Sequence, residues 1–162
     1  ILLSLLEHTR RGYRPKNSVI VADPTGHWHT AAVASHGQIA PGLIVYRFNH
    51  SLYYANAELF YTEVVELIQS AIPPLNWFCL DASAVDDIDF SASETLRNID
   101  RVLTERHIRL VLAGVGTDVH LLLDRYGLSA LVGTAAFYET YVEVVEAYTH
   151  SGPGMEKNAI AR

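Results

Sequence analysis

The stretch "DDIDFSASETL", Asp86–Leu96, sets three carboxylates within four positions (Asp86, Asp87, Asp89) ahead of Ser91, Ser93 and Glu94. Those residue types suit three chemistries. Carboxylates at a strand end can hold magnesium in an octahedral array of oxygens. A serine with a glutamate three residues later can cap a helix. A hydroxyl at a helix N-terminus can also accept a phosphoryl group, because free amides and the helix dipole favour added negative charge there. No partner motif accompanies the aspartates, so they read as an acidic loop ahead of a helix N-terminus, and no metal site is expected. Ser91 and Glu94 fit the capping box, with Ser91 as N-cap. That assigns about 0.5–2 kcal/mol to the Ser91 hydroxyl. Asp89 would oppose a dianion at Ser91 by like-charge repulsion.

A second candidate is "AGVGTD", Ala113–Asp118. Placed between a strand and a helix, the amides around Gly114, Gly116 and Thr117 could meet a nucleotide or another anion. Neither the dinucleotide fingerprint nor a phosphate loop ending in Gly-Lys-Ser/Thr is present, so the other reading is a tight strand-to-helix turn. His27 and His29 would share one face of a strand, but a zinc site needs a further placed ligand. Cys79, the single cysteine, lies in an apolar run and reads as a small core residue. It excludes an internal disulfide framework. No nucleophile elbow, His-Glu-x-x-His helix or acid/base pair is visible, so an enzyme is not expected and no cofactor is required.

The elements that must position these residues follow from patterning. At 162 residues and 49% hydrophobic, the chain suits one globular domain. Residues 1–16 carry a net charge of +3, leaving −9 for 17–162. The acidic remainder argues against nucleic acid as a partner, since counterion release needs a basic surface. "ILLSLLEHTRRGYRPK", an apolar start running into basic residues, has the pattern of a chain leaving the cytoplasmic end of a membrane helix. The other reading is a short amphipathic surface helix. No apolar run reaches the roughly 18 residues needed to span a bilayer. With Ile1 first and Met155 the only methionine, a piece of a longer protein is expected.

Residues 1–40 read as a linker leaving a last membrane helix, with an edge-strand segment at His27–Val33. Leu43–Phe48 and Leu52–Asn56 read as strands that could pair in a hairpin. Asn56 is then a plausible N-cap for a helix whose stripe is Phe60, Val64, Leu67, Ile68 and Ala71, ended by Pro73-Pro74. Asn76–Asp81 and Ile108–Gly114 read as buried strands. Helices are expected along Ala92–Leu103, Val119–Tyr126, and a last one lining up Phe137, Tyr141, Val144 and Tyr148, with a short strand at Ala130–Val132. Helical crossovers between buried strands imply an α/β domain with a parallel core and right-handed connections. Its ligand-competent edge is expected at the carboxyl ends of the strands. The domain is assigned to 41–150, with a flexible tail over 151–162.

"PGLIVYRFNHSLYYANAELF" (Pro41–Phe60), "LDASAVDDIDFSASETL" (Leu80–Leu96) and "VLAGVGTDVHLLLDRYGL" (Val111–Leu128) together resemble the STAS domain. This module is shared by bacterial anti-sigma factor antagonists and the cytoplasmic tails of SulP-type anion transporters. Pro41–Phe60 is the more specific stretch and resembles the transporter tails. The resemblance implies a mixed sheet of four to five strands, a parallel core plus an N-terminal hairpin, with helices mainly on one side. It implies a regulatory or interaction domain of a secondary sulfate- or bicarbonate-type transporter, at the cytoplasmic face of the (inner) membrane. Its partners would be the transmembrane domain of the same polypeptide, a second copy in a homodimer, and regulatory proteins. The transported anion would not bind here. The alternative is a free-standing switch of the antagonist kind. In the antagonists' Asp-Ser-Ser-Gly motif the second serine is phosphorylated by a partner kinase. "DFSA" falls on it, Asp89 on the aspartate and Ser91 on the phosphoacceptor, with Phe90 and Ala92 replacing the first serine and the glycine.

Overall fold

The computed structural model describes residues 16–151. The membrane-exit pattern before Lys16 and the tail after Ser151 lie outside the described residues. Six strands form one mixed sheet in the order β2-β1-β3-β4-β5-β6. They are β1 (Ser18–Ala22), β2 (Trp28–Ala32), β3 (Leu43–Arg47), β4 (Trp77–Asp81), β5 (Arg109–Ala113) and β6 (Phe137–Tyr138). From β3 to β6 all neighbours are parallel, whereas β1 runs antiparallel to both β2 and β3. Among the described residues five α-helices accompany the sheet: α1 (Tyr54–Ser70), α2 (Phe90–Glu105), α3 (Thr117–Arg125), α4 (Leu128–Val132) and α5 (Tyr141–Ser151).

Strand alternation divides the core into two layers. Ile44 and Tyr46, Phe78 and Leu80, Leu110 and Leu112 face one side, where Phe60, Val64 and Leu67 of α1 and Leu96, Ile99 and Leu103 of α2 cover them. Leu43 and Val45, Trp77 and Cys79, Val111 and Ala113 face the other, covered by Val144 and Tyr148 of α5. Every residue of β4 is therefore buried, which is why it reads as a continuous apolar run rather than an alternating one. The α1 stripe Phe60, Val64, Leu67 and Ile68 is buried as its spacing predicts.

The structure corrects five expectations. The antiparallel neighbour of β3 is β1, and the N-terminal hairpin is β1–β2, so the sheet has six strands where four to five were expected. Leu52 makes only an isolated parallel bridge to Ile88, and α1 already begins at Tyr54. The β-propensity of "LYYAN" is overridden because side-chain and carboxylate acceptors fix a helix start there. Asn56 is accordingly the third residue of α1 rather than its N-cap; its Oδ1 accepts from the amide of the true N-cap, Tyr53, at 2.9 Å. "ALV" lies in α4, where the Leu131 amide donates to the Gly127 carbonyl at 3.3 Å and the Gly133 amide to the Ser129 carbonyl at 3.0 Å, the i→i−4 bonds of a helix rather than a strand ladder. The last strand is Phe137–Tyr138, so Phe137 is not on the face of the last helix.

Candidate functional site at the carboxyl edge of the sheet

The loops leaving β3 and β4 converge at the carboxyl edge, and backbone bonds tie them first. The amide of Leu52 donates to the Asp87 carbonyl at 2.9 Å, and that of Asp89 to the Leu52 carbonyl at 3.0 Å. All three aspartates then reach the β3–α1 connection. Ser51 Oγ donates to Asp86, Tyr53 Oη donates to Asp87 at 2.9 Å, and the Tyr54 amide donates to Asp89 Oδ2 at 2.8 Å. The acidic loop is thus a clasp between two helix starts. No cluster of His, Cys, Asp and Glu suited to a metal ion occurs among the described residues.

Ser91 is not the N-cap. Asp89 holds that position with extended backbone (φ −86°, ψ 171°), and its Oδ1 accepts from the Ala92 amide at 2.8 Å. The helix begins two residues earlier than the capping-box spacing implies, because Asp89 offers a charged acceptor already fixed by the loop, the stronger of the two available caps. Ser91 lies in the first turn, exposed, and its carbonyl accepts from Thr95 Oγ1 at 3.2 Å. Ser93 is the buried serine, and its Oγ donates to the Phe90 carbonyl at 2.6 Å.

Ser91 lines an open groove of about 630 Å³ between the first turns of α1 and α2. Tyr54, Tyr61 and Phe90 form its walls, and Glu58 and Glu94 add acidic groups. Phe90 is 64% exposed and Tyr54 79% exposed, large values for aromatic side chains on a folded surface. One edge of Phe90 is supported by Tyr126, 6.0 Å between ring centroids.

The Gly114–Thr117 stretch joins β5 to α3. Gly114 has φ +66°, and a Cβ there would lie 2.9 Å from Ser83 Cβ, so the β4 and β5 loops pack on this glycine. Gly116 is the N-cap of α3 and Thr117 its first residue. Beside them lies a cleft of about 420 Å³ lined by Gly114, His120, Glu139 and Glu143.

One pair escaped the sequence reading. Asp81, 1% exposed at the end of β4, accepts from Arg47 Nε of β3 at 2.7 Å and from the Ser83 amide at 3.1 Å. The guanidinium carbon lies 5.6 Å from the Tyr141 ring centroid. The signal was available: parallel register sets Arg47 opposite Asp81, and a buried carboxylate requires a partner.

This is a small α/β domain in which the polar groups of the carboxyl edge join one crossover to the next, beneath an aromatic groove. The STAS domain family model matches residues 36–147, and the chain belongs to that family. It is 28% identical over 149 residues to a probable sulfate transporter of Mycobacterium tuberculosis, a match covering 91% of this chain and 27% of that protein. The chain therefore spans about a quarter of that relative's length. Among solved structures, it is similar to the murine anion transporter Slc26a9 (TM-score 0.71, 16% identity, 91% of this chain and 25% of that one). It is also similar to the STAS domain of a SulP transporter from Vibrio cholerae (TM-score 0.55, 22% identity, 72% of this chain and 94% of that one). Those two likenesses are of fold.

Proposed function

We propose that this STAS domain is the cytoplasmic regulatory and interaction domain of a SulP-type secondary transporter of an inorganic anion such as sulfate or bicarbonate. The likeness to the mycobacterial probable sulfate transporter supports this, since it runs over 91% of the chain and so extends beyond the family span of 36–147. The transmembrane domain of the same polypeptide is then its permanent partner, and the transported anion binds in the bilayer rather than here. The test is uptake of labelled sulfate and bicarbonate by cells carrying the whole gene, compared with a gene truncated before this domain. Expected are an upstream frame of apolar spans and a fall in uptake on truncation. An upstream frame without such spans would sink the reading.

A second reading is favoured by the exposure of Ser91 on the first turn of α2: a phosphorylation switch at this hydroxyl, with Asp89 fixing the helix start. Incubation with extract of the source cells and ATP should then retard the chain on a phosphate-affinity gel, and Ser91→Ala should abolish the shift. No Ser91-dependent shift counts against it. A third and separate proposal is nucleotide contact at Gly114, Gly116 and Thr117, which calorimetric titration with ATP and GTP tests directly; absence of heat removes it.

A further inference from the structure

We propose that the groove between α1 and α2 is a docking site for the arginine-rich stretch of this same chain, Arg10–Arg14. The inference stands apart from the transporter reading, because it uses only residues of this chain. The groove offers what a guanidinium recognises: aromatic faces on Tyr54, Tyr61 and Phe90 beside the carboxylates of Glu58 and Glu94. Planar guanidinium groups stack on aromatic rings and pair with carboxylates in the same contact. Arg97, the cation nearest in sequence to Glu94, lies 3.3 Å from it through Nε but commits its other end to the Tyr126 carbonyl at 2.7 Å. The surface thus keeps an acidic character. Residues 16–151 carry seven Lys and Arg against sixteen Asp and Glu, whereas Arg10, Arg11 and Arg14 stand within five positions ahead of them.

Connectivity brings the two together. The carbonyl of Lys16 accepts from Asn49 Nδ2 at 2.6 Å, and Asn17 Oδ1 accepts from the Asn49 amide at 3.1 Å. Asn49 precedes Tyr54 by five residues, so the anchored Lys16 enters within about 18 Å of the groove's near wall at full extension. Arg10 is six residues before Lys16, a reach of up to about 20 Å by the same measure. Arg10 and Arg11, six and five residues ahead of the anchor, thus have a reach of the same size as the Asn49–Tyr54 span, whereas Arg14, two residues ahead, reaches about 7 Å and adds its charge along the way.

The experiment places a nitroxide at residue 9 (Thr9→Cys) of the 162-residue chain, since the only native thiol, Cys79, is fully buried. Amide signals are then followed by NMR. Expected is a selective loss of the signals of Tyr61, Ser91, Glu94 and Thr95, reversed by Arg10, Arg11 and Arg14→Glu and by high salt. The control Glu146→Lys, on α5, should leave the loss in place. The diamagnetic spectrum of each variant shows that it is folded. Unchanged groove signals would overturn the proposal. A loss that persists when the label is on one chain and the isotope on another would also overturn it, in favour of a second copy as the occupant.

Discussion

The backbone amide of Tyr54 donates to the carboxylate of Asp89 at 2.8 Å, across 35 residues of sequence. The other oxygen of that carboxylate accepts from Ala92, also at 2.8 Å. One side chain therefore satisfies an orphan amide at the start of α2 and another at the start of α1. Substituting Tyr54→Pro isolates the longer-range bond. Proline suits the first helical position, and Tyr53 already has the extended backbone (φ −126°, ψ 164°) that a following proline requires. Denaturant unfolding should show a loss of about 1–3 kcal/mol, the range for a hydrogen bond to a charged group. In an Asp89→Ala background the loss should shrink towards zero. Equal losses in both backgrounds would mean that Asp89 does not join the helices.

Asp89→Ala should itself cost more than the ordinary cap range of about 0.5–2 kcal/mol, because it removes two acceptor contacts at once. Ser91→Ala should stay within about 0.5 kcal/mol of the parent, as for an exposed position away from caps and core. Paired urea curves decide the order. A reversed order would restore Ser91 as the cap.

How far this edge was legible in the sequence depended on whether its partners were local. The parallel core, the buried runs of β4 and β5 and the apolar stripe of α1 follow from periodicities contained within each segment. The cap did not, because "SASE" and "DFSA" offer two overlapping starts. The loop closing on Ser51, Tyr53 and Tyr54 selects Asp89 between them. The β1–β2 hairpin was only half visible: Trp28–Ala32 is strand-like in isolation, but nothing local shows that Ser18–Ala22 fits between it and β3. The short "ALV" segment had too few residues to separate the two periods.

Arg47 and Asp81 are unequally exposed, their side chains being 26% and 2% accessible. Removing either partner should therefore give different losses. Arg47→Met strands a buried carboxylate and should cost about 3–5 kcal/mol. Asp81→Asn keeps an acceptor in place and leaves Arg47 able to turn to solvent, for about 1–3 kcal/mol. Equal losses measured in guanidinium chloride would show that the pair behaves as an exposed one.

The glycines of "AGVGTD" should behave oppositely. Gly114→Ala forces a Cβ into left-handed backbone and to 3.1 Å from Ser83 Cα, costing about 1–3 kcal/mol. Gly116 has φ −65° and open space around its Cβ position. Gly116→Ala should lose no more than the modest advantage of glycine over alanine at an N-cap, a few tenths of a kcal/mol to about 1. Two similar melting curves would dissociate the glycine pattern from the contact with Ser83.

Tyr46 gives the protein an alkaline limit. Its ring is fully buried, its Oη donates to Glu63 Oε2 at 2.6 Å, and the same oxygen accepts from Asn17 Nδ2 at 2.7 Å. Burial, reinforced by the Glu63 charge, pushes the phenol far above its ordinary value. In the unfolded chain it ionises near pH 10. The folded state thus retains a proton that the unfolded state has lost, and stability must fall as pH rises through that value. The slope from this one group is about −1.4 kcal/mol per pH unit above pH 10, and zero well below it. Tyr46→Phe should cost about 0.5–1.5 kcal/mol near neutrality, by removing the donor to Glu63. It should also flatten the alkaline limb by one proton, so that the stability curves of parent and variant converge and then cross as pH rises beyond about 10. Urea unfolding between about pH 8 and 11 measures both effects, and parallel curves would show that Tyr46 titrates alike in the two states.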